Sequence, residues 1–547
     1  MLQFSEIAIP LKDGKTEGSC LAAARRRLVA SFHLADDDIR EISLYRKSVD
    51  ARKKSNVHLT LSVRVRLADD AAEERYLAAI SPRDRRRVTA VTKQAPAFPQ
   101  SRPIPSDQKR PVVVGAGCAG LFAALTLAYA GLQPLLIERG DDASRRSDAI
   151  ETFHRTRQLD LESNIQFGLG GAGTFSDGKL ATGTKNPAHR LILQTLVDYG
   201  APRDILWDAK PHIGSDILPA VVQNIANDIV KLGGEVRFRT RLTDIELDSV
   251  NAINALEFND GERVECSHLI LACGHSARDV FELVRNKGIA IERKTFAMGA
   301  RVEHLQADID RAQYGSAAGH PALGAAPYSL VAHCDNGRNL FSFCMCPGGQ
   351  VVAAASETGG VVTNGASLNA RAGANANSAL LVNITPQDLP GDDPLAGVEL
   401  QRNCERAAFT AGGSNYTAPA QLVGDFLAGK PSTGPKGVSP TYPLGVTWGT
   451  IDQLLPSHVI DTLRRGIPML DRKLHGFNDR KAVLTGVETR SSSPVQITRD
   501  RSCRALRTPG LYPCGEGAGY AGGIMSAATD GIRCAQALID DLEARRA

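Results

Sequence analysis

Two rhythms of apolar residues run along this chain, and one gives way to the other at Pro111. Before it, Phe4–Leu11, Ile42–Tyr45 and His58–Leu67 alternate apolar and polar positions, the period-two pattern of half-buried strands. Helical spacing is found at Ser19–Phe32 and Ala71–Ile80. Strand-helix-strand-strand-helix over residues 1–95 predicts a small N-terminal α+β domain with ferredoxin-like connectivity. Gln94–Arg110 then carries four prolines among polar residues, so residues 96–110 are expected to form an extended linker. After Pro111 the apolar runs become short and unbroken. Pro111–Val114, Leu135–Glu138 and His268–Ala272 read as buried parallel strands. Helices are expected at Leu121–Ala130, stopped by Gly131, and from Leu218 to the stop at Gly233–Gly234; Glu235–Asp248 alternates like a strand.

Gly115, Gly117 and Gly120 complete G-x-G-x-x-G between the strand ending at Val114 and the helix after it. The first glycine permits a tight turn, the second admits a pyrophosphate close to the backbone, and the third lets the helix lie against the sheet. Unpaired N–H groups at that helix N-terminus, where Cys118 and Ala119 fall, favour the negative charge. Glu138 ends the next strand about 20 residues on, where a carboxylate hydrogen-bonds a ribose 2′-hydroxyl and repels a 2′-phosphate. The pattern points to FAD or NAD(H) and away from NADP(H), with Arg139 in the same set.

At 547 residues, 43% hydrophobic and 23% charged, the chain has room for about three domains of an ordinary soluble enzyme. Charges interrupt the apolar residues of the N-terminus and no long charge-free apolar run follows, so a cytoplasmic location without a membrane span is expected. Eleven cysteines without a regular rhythm fit a reducing compartment. Cys344 and Cys346 form C-x-C, but no second pair at zinc spacing accompanies them; no metal is expected, and packing competes with a redox role. The net charge of +4 gathers in residues 1–100, where 19 Lys and Arg face 13 Asp and Glu. Arg25–Arg27, Lys53–Lys54 and Arg85–Arg87 are candidate contacts for a polyanion, but Asp36–Asp38 and Glu73–Glu74 interrupt them, which favours a mixed solvated surface.

Two further glycine-rich stretches read as close approaches of backbone to a ligand. Phe167–Lys179 contains Gly170, Gly171, Thr174, Asp177, Gly178 and Lys179. Gly510–Ile524 runs from a short strand into a Gly–acid turn, Gly515–Glu516, then through Gly522 and Gly523 to a helix near Ile524. His268–Asp279 places Cys273 and Gly274 at a strand end.

These stretches resemble the glutathione-reductase-type flavoprotein superfamily and, within it, the bacterial uncharacterised FAD-dependent dehydrogenase-like family. The likeness covers most of the chain and is carried by SVDARKK, GGAGTFSDGKL, KPHIGSDIL, ACGHSARD, FAMGARVEH, FCMCPGG, NARAGANANSAL, TRSSSPVQITRD and LYPCGEGAGYAGGIMSAATDG. Cys273 stands where the superfamily's Ala-Thr-Gly strand end has Thr, and Glu516 where Asp is commoner. The resemblance implies FAD and redox chemistry, and a β-meander that places Leu242 and its neighbours at the cofactor. It implies that Glu516 holds the ribityl hydroxyls and that the helix after Gly523 stabilises reduced flavin through its dipole. The implied architecture is α/β: a Rossmann-like FAD domain in two parts, residues 111–285 and 495–547, with an α+β substrate domain inserted at 286–494.

Hydride transfer to flavin N5 needs a donor carbon held over the ring and, if an alcohol or amine is oxidised, a proton acceptor. His275, Lys179 and His212 are the catalytic candidates. His275 reads as a base or flavin-edge donor, or as a turn cap. Lys179 reads as a grip on reduced flavin or an acidic substrate, or as a solvated cation. His212 rests only on its Ile-Gly-Ser-Asp neighbourhood. In the inserted domain Arg301 and Glu303 share a strand face and are expected to pair, with His304 opposite. Asn364–Gly365, Asn375–Ser378 and Ser491–Pro494 offer polar groups to a ligand. No G-x-S-x-G, Walker A or H-E-x-x-H motif occurs. The leading expectation is an oxidoreductase acting on a small organic substrate, with NAD(P)H as a candidate transient donor. Competing expectations are an NAD(P)H-dependent flavin reductase, a flavoprotein presenting RNA from its basic N-terminal domain, and a flavin-stabilised scaffold.

Overall fold

The computed structural model describes residues 1–91, 97–100 and 109–544, so Pro96 and residues 101–108 of the expected linker lie outside the described residues. The N-terminal part is a four-stranded antiparallel sheet of Leu2–Ile9, Glu41–Asp50, His58–Arg66 and Val88–Ala90, in the spatial order second, third, first, fourth. Helices Glu17–Phe32 and Asp70–Ala79 complete a β-α-β-β-α-β path over a face that buries Phe4, Leu59, Leu61, Val63 and Val65. The first helix starts two residues before the expected Ser19, because Thr16 and Ser19 form a reciprocal capping box. Val88–Ala90, too short to show a period, closes the sheet edge beside Leu2–Phe4. The basic clusters are partly paired: Arg25 with Asp36, Arg26 with Asp13, and Arg87 with Glu6 and Asp84. Backbone bonds from Lys47 N to Trp207 O (2.7 Å) and from Ala209 N to Lys47 O (2.9 Å) fasten this unit to the rest.

Five parallel strands form the next sheet, in the order Leu511–Pro513, Leu269–Leu271, Val112–Val114, Leu135–Ile137, Glu235–Arg237. All but the last are buried throughout, as their unbroken apolar runs require. The expected single strand Glu235–Asp248 is in fact two. Arg239 turns the chain with φ 54° and pairs with Asp141 and Asp160, sending Leu242–Leu247 into a separate antiparallel meander with Ile253–Phe258 and Arg263–Glu265. Helix Cys118–Tyr129 packs against the C-terminal helix Ile524–Ala544 so closely that a Cβ on Gly531 would lie 2.1 Å from the Ala119 carbonyl oxygen.

A second large sheet has seven strands in the order Val331–His333, Asn339–Cys346, Asn375–Ile384, Phe296–Leu305, Val483–Glu488, Ala418–Leu422, Val446–Trp448. It is antiparallel except for its last pair, and helix Ser457–Asp471 contributes Val459, Leu463, Ile467 and Leu470 to its core. Ile291–Arg293 pairs with Val495–Ile497 where the chain leaves the parallel-sheet region and returns to it. Among the described residues no helix is long and apolar enough to cross a membrane.

Candidate functional site

A cavity of about 460 Å³ opens between the carboxyl ends of the parallel strands, marked by Val114, Ile137 and Ala272, and the seven-stranded sheet. This is where open parallel sheets bind ligands. The three motif glycines meet different demands. Gly115 has φ 97°, and a Cβ there would lie 2.5 Å from Ala272 O; one on Gly120 would lie 1.8 Å from Gly115 O. Around Gly117 only Gly171 Cα comes near, at 3.8 Å. The fold therefore needs glycine at 115 and 120, whereas the bareness of Gly117 serves something in the cavity. Gly117 is the N-cap of Cys118–Tyr129 and has no side chain to cap it, so Cys118 and Ala119 present the helix N-terminus to the cavity.

Glu138 lines the cavity and ties the turn together. Its carboxylate accepts from the N–H groups of Ala116, Gly140 and Gly168, each at 2.9 Å. Beside it Arg139 donates to Glu162 (2.7 Å) and Asp279 (2.9 Å), with its guanidinium 4.1 Å above the centre of the Phe167 ring. Leu242, Cys273 and Gly274 complete this end.

Gly170, Gly171 and Gly178, all at positive φ, form the next wall. Buried Arg146 sets this loop by donating to the carbonyls of Asn164, Ile165, Gly168, Leu169 and Gly171. Thr174 does not line the cavity; its hydroxyl donates to Leu169 O and supports the loop from behind. Lys179 does line it, with Nζ 2.7 Å from Asp177 and 3.9 Å from Cys346 Sγ. Burial opposes the lysine's charge, but Cys346, Asp177 and Cys344 outweigh it and raise the pKa. Burial likewise opposes ionisation of Asp177, yet Lys179 and the bidentate Arg371 hold it at about 2. Lys179 is thus an anchored cation at the cavity wall.

The two histidines part company. His212 stands behind the wall, bonded through Nε2 to Asn369 O (2.9 Å), and its backbone bridges to Lys179. It positions the lysine's segment and does not line the cavity. His275 does line it, against Ser276 at 3.0 Å. Burial, then Arg490 and Arg278, lower its pKa to about 4, so the imidazole is neutral at pH 7. Those arginines enclose Glu405, which is 1% exposed and accepts from both.

From the C-terminal segment, Glu516, Gly522, Gly523 and Ile524 line the cavity. Gly515 does not; its N–H donates to Asp530 and holds the turn. Burial pushes the Glu516 carboxyl up to about 7, with Lys294 opposing. A Cβ on Gly522 or Gly523 would meet nothing within 4 Å.

The inserted sheet supplies the far wall, and here sequence reading fell short. Arg301 pairs with Glu488 (2.6 and 2.8 Å), not with Glu303, because the neighbouring strand brings Glu488 onto it; Glu303 instead takes Asn375 and Thr441. Asn364, Gly365 and Ser491 reach the cavity as proposed ligand groups, while Asn375 and Ser378 bond inside the sheet and Asn377 accepts from Arg301 there, its Nδ2 buried without a partner. Gln166, Arg241, Phe343, Glu488 and Arg490 also line the cavity, and no local motif marks them. Elsewhere Cys514, Asp530 and Cys534 cluster within 4.8 Å, but Arg499 pairs with Asp530 and donates to Cys534, putting its own cation there.

The bare Gly117, the open helix N-terminus and the glycine-lined walls fit a flavin dinucleotide. An FAD binding domain model matches residues 110–194, the C-terminal domain-like model of FAD-dependent proteins matches 295–491, and a domain of unknown function matches 1–66. The protein is an FAD-dependent flavoprotein. It belongs to the same family as a Clostridium beijerinckii chain described as an uncharacterized protein, 42% identical over 531 residues that span 96% of this chain and 97% of that one. Among solved structures, PqsL of P. aeruginosa in complex with 2-aminobenzoylacetate shares 12% identity over 80% of this chain and 86% of its own, at a TM-score of 0.34. A Bacillus cereus glycine oxidase shares 10% over 80% and 96%, at 0.32. Likenesses this distant add nothing to the site.

Proposed function

We propose that this protein is an FAD-dependent oxidoreductase that moves a hydride between flavin N5 and a small organic substrate. The observation that carries the reading is one cavity whose first wall is the dinucleotide turn and whose last is the inserted sheet, with the Lys179–Asp177–Arg371 cluster between them. FAD bound there supplies the hydride acceptor or donor. Gly117, Cys118 and Ala119 would take the pyrophosphate, Glu138 the adenosine ribose, and Glu516 the ribityl hydroxyls. Lys179 holds a positive charge where reduced flavin or an acidic substrate gains a negative one. His275, neutral at pH 7, offers a hydrogen bond without adding charge.

The same reading divides the chain into an N-terminal ferredoxin-like domain at 1–95, an FAD domain of glutathione-reductase type at 111–285 and 495–547, and a substrate domain at 286–494. The meander between the third and fourth parallel strands in chain order, Glu235–Arg237 and Leu269–Leu271, supports it. The RNA-presenting alternative has less support, since Arg25, Arg26 and Arg87 are already paired with acids. The test is the anaerobic visible spectrum of purified protein before and after NADH or NADPH. Rapid bleaching assigns a nicotinamide donor; persistent bands that a screened alcohol, amine or acid then bleaches assign a dehydrogenase. Bands that no organic donor bleaches would refute the proposal.

A further inference from the structure

The cavity holds a second group able to carry an electron pair. Cys344 and Cys346 end the strand Asn339–Cys346, and both line the cavity. Of the eleven cysteines, Cys344 alone is exposed. In a regular strand, residues two apart lie roughly 6.5–7 Å apart at Cα, at or beyond the limit for a disulfide. This strand is not regular there. Its pairing with Asn375–Ile384 slips between Phe343 and Cys346, and Cys344 adopts a left-handed φ of 42°, which a non-glycine residue holds only when its surroundings impose it. The result folds the second sulfur back on the first residue: Cys346 Sγ donates to Cys344 O at 3.2 Å. Lys179 Nζ stands 3.9 Å from the same sulfur, and Arg301 donates to Cys344 O at 3.3 Å. Desolvation in the cavity raises the Cys344 thiol to about 12, and Lys179 and Arg301 oppose it.

We infer that Cys344 and Cys346 are a redox-active dithiol that exchanges an electron pair with the bound flavin. The inference rests on the oxidoreductase reading for a redox-competent flavin in this cavity. In the oxidising direction both S–H bonds break, one S–S bond forms, and the electron pair and two protons pass to oxidised flavin. In the other direction reduced flavin returns the pair and both protons, and the disulfide opens to two thiols. Lys179 balances the charge on the Cys346 sulfur between loss of its proton and closure of the S–S bond. Cys344, the accessible member, is the point where an external dithiol or disulfide exchanges with the pair.

Flavin-replete protein, reduced with a phosphine and freed of it, is exposed to air, denatured in N-ethylmaleimide and digested with trypsin. The peptide Asn339–Arg371 contains both cysteines and no others. It is expected two hydrogens lighter and unalkylated, whereas deflavinated protein treated alike yields it doubly alkylated. Double alkylation in the flavin-replete protein overturns the inference. Anaerobic dithionite titration of the air-oxidised protein gives an independent count: two electron pairs per flavin in the wild type, and one in both Cys344→Ser and Cys346→Ser. One pair per flavin in the wild type also overturns it. These outcomes separate from failure of the oxidoreductase reading, which would show as a flavin that dithionite bleaches and no organic donor does.

Discussion

Replacing Gly117 with valine separates what the cofactor demands of the dinucleotide turn from what the fold demands. The backbone there is extended (φ −72°, ψ −177°), which valine adopts without strain, and a Cβ has only Gly171 Cα nearby at 3.8 Å. Losing an N-cap glycine costs the apoprotein at most about 1 kcal/mol. The branched side chain does occupy the approach of a pyrophosphate to the N–H groups of Cys118 and Ala119. Two charge-assisted hydrogen bonds at about 1.5–3 kcal/mol each amount to about 3–6 kcal/mol, or a hundredfold to ten-thousandfold in Kd. The assay is flavin absorbance per protein after gel filtration, with FAD titration of the deflavinated chain followed by fluorescence quenching and urea unfolding of both apoproteins. Gly120→Ala is the contrasting control: its Cβ would sit 1.8 Å from Gly115 O, so it should lose about 1–3 kcal/mol of apoprotein stability. A Gly117→Val protein with wild-type flavin content and Kd would refute this placement of the pyrophosphate.

Glu405→Gln leaves two buried arginines short of their counter-charge and is expected to cost about 3–5 kcal/mol in urea unfolding; a loss under about 1 kcal/mol would show that the arginines find other partners. Glu516 keeps its proton in the folded apoprotein up to about pH 7, whereas an ordinary carboxyl loses it near 4.5, so the folded state holds more protons and stability falls as pH rises between those values. The fall is at most about 3 kcal/mol, and Glu516→Gln is expected to flatten the profile; an unchanged slope would assign it to another group. Lys179→Met removes the anchored cation and should shift the flavin potential negative by about 30–60 mV, read by dye equilibration. Potentials that coincide would place the lysine away from the reduced ring.

The nucleotide end of the site is legible in the chain because its contacts are local. Gly115 to Glu138 spans one helix and the strand after it, so the placement of its residues follows from spacing alone. The inserted wall is not legible in this way. Arg301 finds Glu488 from 187 positions away, while the period-two pattern offers Glu303 two residues on; only the order of strands in the sheet decides between them. The strand Glu235–Asp248 fails for a related reason. Its alternation is real on both sides of Arg239, but ion pairs to Asp141 and Asp160 bend the chain and give the halves to different sheets. Cys344 and Cys346 are visible as a motif, yet nothing in the local pattern says that a bulge turns them toward Lys179.

The close seat of Gly531 on the Ala119 carbonyl has a consequence for how the molecule is made. Residues 130–523 separate the two helices in contact. At about 5–20 residues per second, the ribosome needs roughly 20–80 s to go from one to the other. Until the end of that interval the dinucleotide turn has its helix bare on one side and its parallel sheet lacks the strand Leu511–Pro513. A cofactor met in that interval would find a site still lacking Glu516 and Gly522–Ile524, which line the folded cavity. A stop codon just before Gly522 would spare all three motif glycines and still release a protein that lacks the helix against which that turn is held.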